Sequence, residues 1–192
     1  MSAVDAFLAT WTHARAIFGD GVPRPGEVFD QSSRLNQLKS SLDEADPQRY
    51  WSGAAASQYG AVNAEHRRVV GELGTLDRQL AQQVDQSAQI VTAGRRDLDS
   101  IRQWVLAAAA SVPSNPAGQP MLAAISANGL ARVSEVIIRA TRELGAVGER
   151  IQTIGERYRE LGAGQKFGGT REDAIQANRL QAGAPASPVP DQ

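Results

Sequence analysis

The sequence predicts an all-α chain: an elongated antiparallel helical bundle or hairpin with one very long helix, short N-terminal helices and a disordered C-terminal tail. Three observations predict it. Apolar residues recur at helical intervals from about residue 54 to 112 with no proline between them. A second run, 121–162, keeps a strict seven-residue repeat. From Ala163 onward Gly, Ala, Pro, Gln and Ser take over, a composition too poor in apolar residues to order itself. The implied division is a helical domain over 1–162, containing a hairpin over 28–112 and the heptad helix 121–162, followed by a flexible tail over 163–192.

Each element has its own signal. Segment 2–18 opens on Ser2 and Asp5, an S-x-x-D start, and carries Val4, Leu8, Trp11 and Phe18 on one face. Gly19 to Gly26 holds three Gly and two Pro and reads as a turn-rich connector. Segment 28–45 is a second short helix with Phe29, Leu35, Leu38 and Leu42 as its stripe. It ends at Asp46-Pro47, because the residue before proline disfavours the helical region. Val62, Val69, Leu73, Leu76, Leu80, Val84, Ile90, Leu98, Ile101 and Val105 mark the long helix, with a bend expected near Gly94. Three prolines from Pro113 to Pro120 predict a loop.

Segment 121–162 has the clearest pattern. Ile137, Leu144, Ile151 and Tyr158 fall seven apart, as do Val133, Ala140, Val147, Ile154 and Leu161, three residues out of phase. Together they form an a/d packing seam, with the preceding helix as its natural antiparallel partner across a short loop. Glu135, Arg139 and Glu143 sit four apart, a spacing suited to opposite-charge pairs along the helix.

Composition excludes several functions. The chain has 192 residues, no cysteine and a net charge of −1. Disulfide frameworks, thiolate metal sites and a cysteine nucleophile are ruled out. Near-neutral charge gives no electrostatic grip on nucleic acid or an anionic membrane. The N-terminus lacks the basic and apolar regions of a general secretory signal peptide. No run approaches about 18 consecutive apolar residues, so no transmembrane segment is expected.

Nothing in the sequence assembles a catalytic site, a metal site or a cofactor site. The two histidines, His13 and His66, sit in no metal-ligand spacing. Gly19-x-Gly21 and Gly162-x-Gly164 follow helices and read as caps and turns. Asp97/Asp99 and Glu156/Glu160 lie on mixed-charge helix faces, where carboxylates are solvated. The expectation is a protein that is not an enzyme.

Trp51-Ser52-Gly53 stands apart. It lies between two helices, where Gly permits a sharp turn and Trp brings a large apolar face with one N–H donor. Gly19-Asp-Gly-Val-Pro-Arg-Pro-Gly-Glu-Val-Phe-Asp30, a short helix, and Tyr50-Trp-Ser-Gly-Ala-Ala-Ala-Ser-Gln-Tyr59 follow in order. With Leu76-Asp-Arg-Gln-Leu80 and Arg95-Arg-Asp-Leu98, this arrangement resembles the N-terminal domain of the EspA/EspE group, type VII secretion-associated proteins of mycobacteria. The resemblance covers about residues 17–112. The group shows a G-x-G-V/I-P-x-x-G turn, a W-x-G and an A-x-x-Y, here ending in Ala56 and Tyr59.

The resemblance implies a helical hairpin whose W-x-G turn meets a Y-x-x-x-D/E segment of a small helical partner, forming an export signal. Trp51 and Gly53 are then the motif and Tyr59 its packing neighbour. Four residues after Tyr50, Tyr59 and Tyr158 stand Ala54, Asn63 and Gly162, so no tyrosine here completes Y-x-x-x-D/E. The implied protein is synthesised in the cytoplasm and exported by type VII secretion, to the medium or the cell envelope. It would travel as a heterodimer, with homo-oligomers also open. Two other readings are an export-targeting or adaptor domain of an effector or toxin system, and a cytosolic coiled-coil scaffold. The chain departs from the group in lacking its long apolar segment after the hairpin and its long low-complexity C-terminal half.

Overall fold

A computed structural model describes residues 2–46 and 49–164. Among them there are four α-helices and no strand: α1 Ala3–Ile17, α2 Ser32–Glu44, α3 Ala54–Ala110 and α4 Gly118–Gly164, with a 3-10 turn at Gly26–Val28. The tail expected from residue 163 lies, beyond Gly164, outside the described residues.

The spine is α3, 57 residues without interruption. At 1.5 Å per residue it runs about 85 Å. An isolated helix of such mixed polarity gains its stability from an apolar face packed on neighbours rather than from intrinsic propensity. Two strips supply that packing. Along one flank lies α4, along another the succession α1, connector, α2.

The α3–α4 pairing is antiparallel. Arg139, Arg150 and Arg157 of α4 reach Asp97, Gln86 and Glu72 of α3 in falling order. Between these polar links the seam closes. Val133, Ala140, Val147, Ile154 and Leu161 are buried. Ile137, Leu144 and Ile151 are half-buried against the main core, and Tyr158 against a smaller cluster around Leu76, Ile154 and Leu161. Arg139, read in sequence as a partner for its own helix, instead pairs across the seam with Asp97.

Helix α1 starts on the expected capping box. The Asp5 N–H donates to Ser2 Oγ at 3.1 Å and the Ser2 N–H donates to Asp5 Oδ2 at 2.7 Å. The reciprocal bonds satisfy two donors that a helix start leaves unpaired. Its buried face is Phe7 and Ala14, extended by Phe18 at the C-cap, with Leu8 and Trp11 beside them. Phe7, absent from the predicted stripe, is fully buried at the meeting of α1, α3 and α4. The Trp11 indole N–H donates to the Leu98 carbonyl at 2.7 Å, so the half-buried ring leaves no orphaned donor.

The connector is tied down residue by residue. The Gly26 N–H donates to Asp85 Oδ1 at 2.6 Å, and Gly26 lies so close to α3 that a Cβ would overlap the Ala81 carbonyl. The Arg95 guanidinium donates to the Phe18 and Gly21 carbonyls, each at 2.6 Å. These bonds explain why a stretch rich in Gly and Pro holds one path.

Three boundaries differ from the sequence reading. The second helix begins at Ser32, not near 28, because Asp30 accepts from the Ser32 N–H at 2.8 Å and Asp77 accepts from the Gln31 N–H. Such local carboxylate bonds hold the backbone in a turn instead of a helix. Helix α3 continues through Gly94 without a break. The missing side chain there makes room for the Phe18 ring, which a Cβ would strike. Finally, α4 starts at Gly118, so Pro120 sits inside its first turn. A proline is tolerated there because the N–H it lacks has no helical partner in any case.

Helix α4 also qualifies, by length and composition alone, as a helix able to cross a membrane. The expectation of no such segment rested on unbroken apolar runs. Here a mean over 18 residues stays apolar although polar residues interrupt the run.

Glycines that receive a neighbour should behave unlike those facing open space. Gly94→Ala should destabilise the protein by about 1–3 kcal/mol through overpacking against Phe18. Gly145→Ala, with nothing within 4 Å, should stabilise it by up to about 1 kcal/mol through helix propensity. Urea unfolding followed by circular dichroism reads both. Equal effects of the two substitutions would refute this packing.

Candidate partner-docking corner

The link from α2 to α3 ends at Gly53, the residue before the first turn of α3, with φ +113°. An L side chain rarely adopts that backbone, so glycine is required by conformation and not by crowding: a Cβ there would meet nothing within 4 Å. The turn sends the chain into α3 with Trp51 projecting outward. Its side chain is half-exposed, at 50%. The Trp51 and Tyr59 rings stand 6.4 Å apart at 47°, an aromatic pair of ordinary tilted geometry. Tyr59 is 57% exposed and Tyr50 more so. Thus Trp51 and Tyr59 share one surface, and Gly53 forms the corner that brings them together.

What fixes the corner is polar. The Asn63 side chain is buried, and its Nδ2 donates to the Leu42 carbonyl at 2.8 Å. That bond satisfies a carbonyl in the last turn of α2, where no helical donor remains. One turn on, Arg67 pairs with Asp43 at 2.6 Å. Ala56, buried at the first turn of α3, brings no side-chain bulk beyond a methyl. Sequence reading identified Ala56 by spacing but missed Asn63, Asp43 and Arg67. Their roles depend on which carbonyl and which carboxylate the hairpin brings opposite them, and no local pattern encodes that.

Asn63 carries a further consequence. It stands four residues after Tyr59, where an acid would complete Y-x-x-x-D/E. A carboxylate only accepts when ionised, whereas the Leu42 carbonyl needs a donor. The hairpin therefore uses this position for its own closure.

The corner lies past the reach of α4. The residues joining α4 to this end of α3 include Tyr158 at Asp77, Leu161 in the cluster with Leu73 and Leu76, and Arg157 at Glu72. The Tyr158 hydroxyl donates to Asp77 Oδ1 at 3.3 Å. Burial and the adjacent Asp77 carboxylate push the phenol up to about 12. Asp77 also accepts the Gln31 N–H, so one carboxylate links α4, α3 and the start of α2. N-terminal to this linkage, α3 exposes Tyr59 and Val62, and α2 exposes Leu38.

The residues weighed for chemistry are dispersed. His13 and His66 are exposed, Asp97 pairs with Arg139, and Asp99 pairs with Arg15. Among the described residues no group of three or more His, Asp or Glu could hold a metal ion.

The sequence model of the EspA/EspE family matches from Phe18, the C-cap of α1, to Ser100 in α3. Residues 18–100 match the EspA/EspE family. This EspA/EspE-like region takes in the connector, α2, the W-x-G corner and most of α3, and it falls within the 17–112 expected from motifs. Two curated relatives are named ESX-1 secretion-associated protein EspE, from Mycobacterium tuberculosis strains CDC 1551/Oshkosh and ATCC 25618/H37Rv. Each is 27% identical over 90 residues, covering 46% of this chain and 22% of the relative. The match thus spans about a fifth of the relatives' length, and α4 lies outside the family match. No solved structure matches the chain.

Two substitutions test the corner and its support. Asn63→Asp should destabilise the fold by about 1–3 kcal/mol, because it sets a buried carboxylate against the Leu42 carbonyl; Asn63→Gln with unchanged stability alongside a neutral Asn63→Asp would refute this. For Tyr158, the folded state favours the protonated phenol. Its contribution is complete below the ordinary value of 10.0 and is lost as pH rises towards about 12. Tyr158→Phe should flatten this alkaline limb of the melting temperature between pH 10 and 12, the range between those two values. An unchanged slope would count against the Asp77 linkage.

Proposed function

We propose that this chain is a non-enzymatic type VII secretion-associated interaction protein, exported together with a small helical partner that supplies Y-x-x-x-D/E. The observation that carries the reading is the half-exposed Trp51 ring, presented by positive-φ Gly53 against Tyr59 on a part of α3 beyond the α4 linkage. A Trp held at a turn and left accessible offers a large rigid apolar anchor with a free indole donor, the residue type that dominates binding hot spots. Exposed Val62 continues the same side of α3 one turn on, which suits a helix laid alongside. The resemblance to EspE supports secretion as the setting, to the medium or the cell envelope. The heptad seam of α4 then serves this chain's own hairpin, and the helical residues up to 162 act as one unit with the tail apart.

Asn63 supports the division of labour between two chains. The position that could have completed the tyrosine motif closes the α2–α3 hairpin instead. The acid must come from another polypeptide.

The test is co-expression of the full chain with small helical-hairpin proteins bearing Y-x-x-x-D from the same cell. Wild type should co-purify with one of them, and Trp51→Ala should lose at least about tenfold of the complex, in line with a central aromatic anchor. Stability of the isolated chain should change by under about 1 kcal/mol, since the ring is half in solvent. Wild type and Trp51→Ala retaining the partner equally, with neither reaching the culture filtrate, would overturn the reading.

A further inference from the structure

The opposite end of the molecule has a different character. From Arg102 to Arg132 the chain contains no Asp, Glu, Lys, Arg or His between those two arginines. This uncharged span comprises the last turns of α3, the three-proline loop and the first turns of α4. It holds most of the apolar part of the one helix that qualifies by composition as membrane-compatible. Yet little of it is covered. Between Met121 and Ile138 only Ser126, Gly129, Val133 and Val136 are buried.

The uncovered residues are arranged. Ala124, Ala127 and Ala131 follow at three- and four-residue steps, opposite the buried set, and all are exposed; past Arg132 the same side of the helix carries exposed Glu135. Met121 is exposed at the start of the helix. At the boundary of the uncharged span, the Arg132 guanidinium lies 4.4 Å over the Trp104 ring, which remains 37% exposed. Helix α1 covers another side through Phe7 at Gly129 and brings one carboxylate, Asp5, engaged by Ser2.

We propose that this α3–α4 tip rests on a lipid bilayer, inserted shallowly at the boundary between headgroups and acyl chains. Three features favour lipid over protein. The face is built of small side chains, with Met121 at its start. From Gln103 to Ala131 it bears no charge for a protein rim to complement. The charges that bound it are both arginines, one stacked on an exposed Trp, the residue pair that suits the headgroup level. The Ser, Asn and Gln side chains of the loop keep insertion shallow, because a loop backbone cannot enter the hydrocarbon core unsatisfied. With only two cations at the rim, attachment is apolar in the main and weakly dependent on salt. This inference is independent of the W-x-G corner, which lies at the other end of α3.

Flotation of the full chain with vesicles of phosphatidylcholine, with and without phosphatidylglycerol, tests it. Wild type should float with both, and should stay bound at about 0.5 M NaCl, where charges beyond about 4 Å are screened. In a Trp51→Phe background, where Trp11 and Trp104 remain, emission should shift to the blue and resist aqueous quencher on binding, and a further Trp104→Phe should remove both changes. Ala124→Glu/Ala131→Glu should reduce binding at least about tenfold, since carboxylates on the inserted face oppose burial in lipid. Both positions are exposed on a helix, so circular dichroism should be unchanged. Wild type left unbound by both vesicles, or floating as well as the double variant, would overturn the proposal. So would concentration-dependent self-association without lipid that the double variant abolishes, which would assign this face to a second copy of the chain.

Discussion

The structure depends on one constraint: a 57-residue helix with an apolar stripe must be covered along most of its length. No single element of this chain could do that. The 47-residue α4 covers one flank from the loop up to Glu72. The other flank is covered by two short helices and the connector between them, laid end to end. The connector is thus part of the covering layer. This is why its Gly26 is pressed on the Ala81 backbone, and why Arg95 spends its donors on two connector carbonyls instead of on a carboxylate. A segment with too few side chains to bury is held by backbone bonds to a rigid helix.

The same constraint explains the small-residue core. With aromatics at 5%, the interior is assembled from Ala, Val, Leu and Ile. Helices then need close approach to exclude water, and two phenylalanines from α1 fill the spaces that remain. Phe7 enters where α3 and α4 are spread by Val105 and Gly129, and Phe18 enters over Gly94. Both are ring-onto-glycine contacts, in which the missing Cβ on a long helix supplies volume for a ring from a short one. Packing at this density tolerates little change in volume at those points.

Much of this was legible in the sequence because the helices are long and their periodicity strict. The heptad positions of α4 that face α3 are those the seven-residue repeat picks out, from Val133 to Leu161. The Ser2–Asp5 start and the Gly19–Gly26 break were readable for the same reason: their signals are local. What was not legible was long-range. Phe7 was passed over because a stripe through Val4, Leu8 and Trp11 looked sufficient. Only the third helix makes Phe7 the most enclosed position of α1. Asn63 looked like a defect in a tyrosine motif until the carbonyl of Leu42 came opposite it. Gly94 looked like a bend because a glycine's penalty within a helix is a local quantity, whereas its use here is the Phe18 ring, seventy-six positions away in sequence. Trp51 could be picked out as unusual, but its exposure follows from where α4 loses contact with α3, which no tripeptide records.

Where cover runs out, the two ends of α3 are left in opposite chemical states. At the corner, exposed rings sit beside a fixed hydrogen bond and an ion pair: Asn63 to Leu42 and Arg67 to Asp43. Groups so oriented define a direction and a register, and discriminate between partners by what is left unpaired when the fit is wrong. At the tip the span from Gln103 to Ala131 carries no charged side chain. Such a face cannot specify a register, and gains nothing from a partner that has one. Its requirement is the removal of apolar surface from water, which any sufficiently apolar phase satisfies. The distance between these ends, nearly the length of α3, keeps the two kinds of contact from interfering. On the two proposals together, α3 would hold a partner at a set height above a bilayer surface.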